Sequence, residues 1–253
     1  MATTNRTTAA PPDNQAVHRA LSALAMLAES PTPLSGGEIG RRLGIHQTSA
    51  SRLVRSLVGL GYAREVPGGF VPDLQLFSLV AEASQSYPLV VRYHDTMAEL
   101  SRSLPNFDVT MVTLHQRRPL YFLRSRNGQP APLSTQRWPL HLSVASLRLL
   151  LELPEDEALE ALELDSAALP WERPTALTPA DPVETLTRAR RSLHGDALVL
   201  SGWVLEGHRA GAIPVAIGEP TTFVIALSVD QGSYSEDDFV SLLHRARQAI
   251  ENT

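Results

Sequence analysis

The chain has 253 residues, 43 % of them hydrophobic and 19 % charged, with a formal net charge of -5 and no cysteine. A chain of this length buries enough surface to fold without staples, and the lack of cysteine excludes disulfide frameworks, thiol nucleophiles and cysteine-ligated zinc. No apolar run approaches the ~20 residues that cross a bilayer, and the polar opening MATTNRTTAAPPDNQ has no signal-peptide core; residues 1–14 are expected to be a disordered tail on a cytoplasmic protein.

All 22 basic residues are arginine, in keeping with the codon bias of a GC-rich genome. Seven Arg against four acidic residues give residues 1–72 a charge of +3; fifteen against twenty-three give residues 73–253 a charge of -8. A basic head on an acidic body is a pattern of DNA-binding proteins.

From Ala16 to Glu29, Val17, Ala20, Leu21, Leu24, Leu27 and Ala28 recur at helical spacing, with Asn14 as N-cap and Pro31 as stop. Ser35 and Glu38 have capping-box spacing and open a second helix that ends at Gly44. A third helix runs from about Gln47 to Leu60, with Ala50, Leu53, Val54, Leu57 and Val58 as its buried stripe. Tyr62–Val66, Pro67-Gly68-Gly69 and Phe70-Val71 then read as strand, tight turn, strand. Helix, helix, turn, helix and hairpin in this order predict a winged helix-turn-helix over residues 15–72.

The polar face of the third helix carries Gln47, Thr48, Ser49, Ser51, Arg52, Arg55 and Ser56. Gln pairs with adenine, Arg with guanine, and hydroxyls with bases or phosphates. No acid lies between Ile39 and Gly61, so nothing there repels a polyanion. Gln47 and Arg52 are expected to read bases in the major groove of a double-stranded operator, and Arg55, Arg41 and Arg42 to hold phosphates. Arg64 and the hairpin tip would act as the wing.

The stretches Val17–Leu24, Leu34–Gly44 and Ser49–Tyr62 resemble the head of IclR-type transcriptional regulators. The resemblance implies a linker helix, here residues 73–88, and a C-terminal effector-binding and oligomerisation domain related to GAF-like sensors, residues 89–253. It also implies homodimers, or dimers of dimers, on palindromic operators.

In the second part of the chain, helices are expected over Leu89–Leu104, Ser143–Glu152, Pro154–Leu164, Pro182–Leu193 and from Ser235 to about Glu251. Val109–Leu114 and Leu120–Leu123 read as a hairpin; Ala197–Val204, Ala212–Ile217 and Thr222–Val229 read as strands. Strands mixed with helices without regular βαβ alternation indicate α+β.

The resemblance places an effector pocket at Ser143, Val144, Ala145, Trp203, Ile213 and Ser228. Val144 and the Ser146-Leu147 pair stand where the family has smaller residues and Gly-Lys, and Trp203 stands at a usually acidic position. These departures disfavour a glyoxylate-like effector. They leave open a larger organic acid or aromatic compound, with Arg124 or Arg137 pairing its carboxylate, or a domain kept only for assembly. No Gly-x-Ser-x-Gly, phosphate loop or His-Glu-x-x-His is present, and the histidines lack metal-ligand spacing. No enzyme, metal or cofactor is expected; a small-molecule enzyme tethered to a DNA-binding head is the remote alternative.

Overall fold

The computed structural model describes residues 14–115, 118–130, 138–230 and 234–253. The tail expected before Asn14, and Arg137, lie outside them. The chain divides into two compact units, one ending at Tyr87 and the other starting at Pro88.

In the first unit, helix α1 (Gln15–Glu29) starts where the Asn14 side chain accepts from the Ala16 and Val17 amides. Helix α2 (Gly36–Leu43) starts at Ser35, whose hydroxyl accepts from the Glu38 amide, and ends at Gly44 with φ 65°. That left-handed turn costs glycine little and aims the chain into α3 (Gln47–Gly59). Ala23, Leu27, Ile39, Ala50, Val54 and Leu57 close a small core among the three helices. Strands β1 (Ala63–Val66) and β2 (Gly69–Pro72) form an antiparallel wing. Phe70 also exchanges both backbone hydrogen bonds with Leu34, at 3.0 and 2.9 Å, so the wing is tied to the segment before α2. Helix α4 (Leu74–Ser86) is capped by Asp73 and buries none of its side chains.

The second unit opens with α5 (Pro88–Ser103). Its strands are β3 (Asp108–His115), β4 (Arg118–Arg126), β5 (Gln129–Pro130), β6 (Leu193–His194), β7 (Ala197–Ser201), β8 (Arg209–Val215) and β9 (Phe223–Val229). They form one antiparallel sheet in the order β5-β4-β3-β9-β8-β7-β6. A 3₁₀ turn (Leu140–Leu142), α6 (Val144–Leu150), α7 (Glu155–Ala168) and α8 (Pro182–Arg191) lie in sequence between β5 and β6, and α9 (Glu236–Glu251) ends the chain.

Strand alternation sorts the side chains onto two faces. Val109, Met111, Ile213, Ile225 and Leu227 pack under α5 and α9, with Phe107, Phe239 and Leu243. Val112, Ala210, Ala212, Val224 and Ala226 face α6, α7 and α8. The unit is therefore three layers, helix–sheet–helix, a mixed α/β domain. The expected strand 197–204 stops at Ser201, because Gly202 turns at φ 71° and the chain leaves the sheet until Arg209. The two-residue edge strands β5 and β6 are too short to show in the sequence pattern.

Candidate nucleic-acid interface and ligand cavity

The α3 stripe that fills the head core leaves the opposite face bare. Gln47, Thr48, Ser49, Arg52 and Arg55 are all exposed, while Ala50, Val54 and Leu57 are buried. The N-cap, His46, makes no side-chain capping bond. The first-turn amides of α3 are left without that cap, and a helix start with exposed amides favours an anion.

Ser51 does not join this face. Its hydroxyl fills the contact with α2, where a Cβ on Gly36 would collide with Ser51 Oγ. The helix pair is close because residue 36 has no side chain, and Ser51 belongs to that contact rather than to the outer face on which the sequence reading put it.

Arg41 and Arg42 are exposed but not bare. Both meet the Glu38 carboxylate, at 2.7 and 2.6 Å. Hydrogen bonding from Arg41, then Arg42, holds the Glu38 carboxyl below its usual pKa. The expected capping box is thus only half formed: Ser35 caps, but Glu38 turns outward to the arginines. Arg64 stands exposed on β1 of the wing.

The second unit holds a cavity of about 920 Å³, partly open to solvent, between the sheet and the α6–α7 layer. Its floor is built from small side chains. Thr110 lies opposite Ala226 in the β3–β9 pairing, and Asp108 opposite Ser228; Ala210 lies opposite Ser228 in the β8–β9 pairing. Ala145, Ala161 and Ala168 are small again on the helical side, with Leu120, Trp138 and Leu164 around them. Where both layers carry alanine and serine they cannot fill the space between them.

Ser143 caps α6 by accepting from the Ser146 amide and meets the Tyr121 hydroxyl at 2.9 Å. Ser143, Val144, Ala145 and Ser228 all line the cavity. Arg124 lines it too and donates to Asp108 Oδ2 at 3.0 Å, while Asp108 Oδ1 is buried without a partner. His208 borders the same end, and burial holds its imidazole below the ordinary pKa, against the opposing charges of Asp230 and Asp108.

Two expected pocket residues do not line the cavity. Ile213 is on the other face of the sheet, fully buried under α5 and α9. Trp203 is buried in the helical core, with the Arg188 guanidinium 5.3 Å from its ring centroid and its carbonyl accepting from Thr178 Oγ1 at 2.6 Å. Its neighbours Val204 and Leu205 reach the cavity instead. Thr110, Tyr121, Ala226 and His208 were missed. The first and third could have been found by strand parity, since they alternate with the aliphatic Val109, Met111, Ile225 and Leu227.

An exposed basic recognition helix on a winged helix-turn-helix, followed by an α/β domain with a ligand-sized cavity, defines a DNA-binding transcriptional regulator. Residues 16–67 match the IclR helix-turn-helix domain. No curated protein sequence matches the chain. Solved structures share the fold: an IclR family transcriptional regulator from Brucella abortus (21 % identity, 94 % of this chain and 92 % of that one, TM-score 0.71); an IclR homologue from Microbacterium hydrocarbonoxydans, complexed with 4-hydroxybenzoate (20 %, 94 % and 98 %, 0.65); and an IclR transcriptional regulator from Alicyclobacillus acidocaldarius (16 %, 94 % and 97 %, 0.65). The helix-turn-helix domain belongs to the IclR family, and the chain as a whole shares the fold of these regulators. Among the described residues, no helix is long and apolar enough to cross a membrane.

Proposed function

We propose that α3 enters the major groove of a double-stranded operator, with Gln47 and Arg52 reading base edges and Thr48 and Ser49 at the helix start. Arg55, Arg41, Arg42 and the wing residue Arg64 hold phosphates. The observation that carries this reading is the bare, acid-free outer face of α3 on a helix whose other face closes the head core. Selection from a random duplex library followed by fluorescence anisotropy tests it; enrichment of no sequence would overturn it.

A small molecule with an apolar or aromatic body occupies the cavity, touching Ser143, Val144, Ala145 and Ser228, and shifts operator affinity. Support comes from a chamber of about 920 Å³, within the usual range for ligand sites, and from the 4-hydroxybenzoate complex of the Microbacterium hydrocarbonoxydans homologue. The cavity favours this over a domain kept for assembly alone.

The protein is a homodimer, or a dimer of dimers, and not an enzyme, acting in the cytoplasm beside its operator. Residues 15–72 form the DNA-binding domain, 73–88 the linker and 89–253 the effector and oligomerisation domain.

A further inference from the structure

We propose that the end of the cavity between the start of β3 and the end of β9 selects an effector head group that donates hydrogen bonds and carries no negative charge, an amine or a hydroxyl rather than a carboxylate. The proposal rests on the effector reading of the cavity and narrows its ligand. Four side chains set the chemistry there: Asp108, Arg124, His208 and Asp230.

Among the described residues, the guanidinium that lines this end, Arg124, is already bound to Asp108, while Arg118 lines the cavity where β4 begins. Arg126 approaches the same Asp108 oxygen at 3.9 Å but does not line the cavity. The second Asp108 oxygen is buried and unmatched. Asp230, exposed at the end of β9, has no hydrogen bond or ion pair among the described residues. An entering carboxylate would face two carboxylates and would have to take Arg124 from Asp108. Among the described residues, that exchange would leave Asp108 only the longer contact with Arg126.

A donor meets the opposite situation. Asp230 offers an acceptor. A neutral imidazole has one nitrogen lone pair to offer, and burial favours the neutral form of His208. The hydroxyl of Ser228, on the same row of the sheet as Asp108, can accept as well. The other lining groups nearby, Thr110, Ala210, Ala226 and Leu227, bring no charge. The body of the ligand lies towards Leu120, Trp138, Leu140 and Leu164, with Arg118 and Asp165 as the charged members of the lining there and Asp165 accepting from the Leu140 amide.

The test uses the full chain and three ligands that share one body: 4-methylbenzylamine, 4-methylbenzyl alcohol and 4-methylbenzoate, titrated by calorimetry. Each is measured on the parent protein, on Asp230→Asn and on Ala226→Leu. At least one donor ligand is expected to bind tenfold or more tightly than the benzoate, with the preference reduced in Asp230→Asn and all binding lost in Ala226→Leu. Benzoate binding as well as or better than both donors, and lost in Ala226→Leu, keeps the cavity and overturns the head-group proposal. So does an unchanged preference in Asp230→Asn. No binding of any ligand, or binding indifferent to Ala226→Leu, overturns the cavity reading and the proposal together.

Discussion

Arg52 and Arg55 sit one helical turn apart on the bare face of α3 and serve different ends. A bidentate contact to a base discriminates by about 1–3 kcal/mol. Arg52→Ala is therefore expected to weaken operator binding by roughly 5- to 150-fold and to flatten the preference at one base pair, read by anisotropy on a panel of singly substituted duplexes. Arg55→Ala should weaken all duplexes alike and reduce the salt slope by about one. Glu38 gives a prediction of opposite sign. Because it holds Arg41 and Arg42, Glu38→Gln should raise affinity for non-specific duplex a few-fold at low salt; a loss of affinity would show that the pairing instead positions the arginines for DNA. Much at this scale was legible: the polar face of α3 follows from spacing alone. Ser51 was not, because whether a side chain on the flank of a helix points at solvent or at a neighbour depends on that neighbour, here Gly36.

At the scale of elements, parity explains both success and failure. Ser143, Val144 and Ala145 open a helix against the sheet, and a capping serine before an apolar run marks that start in the sequence. Ile213 was misassigned although its strand was recognised, because Ala210 and Ala212 are the β8 residues on the helical face, and of these Ala210 lines the cavity. Trp203 was misassigned because Gly202 ends β7 and a residue outside a strand obeys no alternation. The segment before α8 also carries a pH response. The His141 ring stacks on Trp171 at 3.9 Å between centroids and its Nε2 donates to the Glu172 carbonyl. Burial lowers its pKa, as it does for His208. The folded state then binds fewer protons than the unfolded chain, so stability holds above the ordinary histidine value of about 6.5 and falls as pH drops through and below it. Thermal melts between pH 7.5 and 5 should show this loss, and His141→Gln should flatten it.

For the whole molecule, the apolar surface of α4 sets the expectation. Leu74, Phe77 and Val80 are 76, 68 and 54 % exposed on a helix with no buried side chain, an arrangement that a second copy would relieve. Light scattering at micromolar concentration should report a dimer or larger, and Phe77→Asp should shift it towards the monomer without lowering the melting temperature of residues 88–253. Fold class was readable along the whole chain because helix and strand periods differ. Assembly stays an expectation, drawn from the IclR resemblance and from surplus apolar residues in a helix, since a sequence does not say what covers them.

The edges of the sheet bear on how this protein behaves when concentrated. Both outer strands, β5 and β6, are two residues long, and β5 ends in Pro130, which has no amide hydrogen to donate. Among the described residues β5 covers only Ser125 and Arg126 of β4, and the rest of that edge carries Arg118, Pro119 and Arg124, charges and a missing amide that discourage another chain from extending it. Association through backbone ladders, the route to fibrils, is disfavoured at that edge, while association through side chains remains open at α4. High concentration should therefore produce oligomers of finite size that part on dilution, and not thioflavin-positive aggregates.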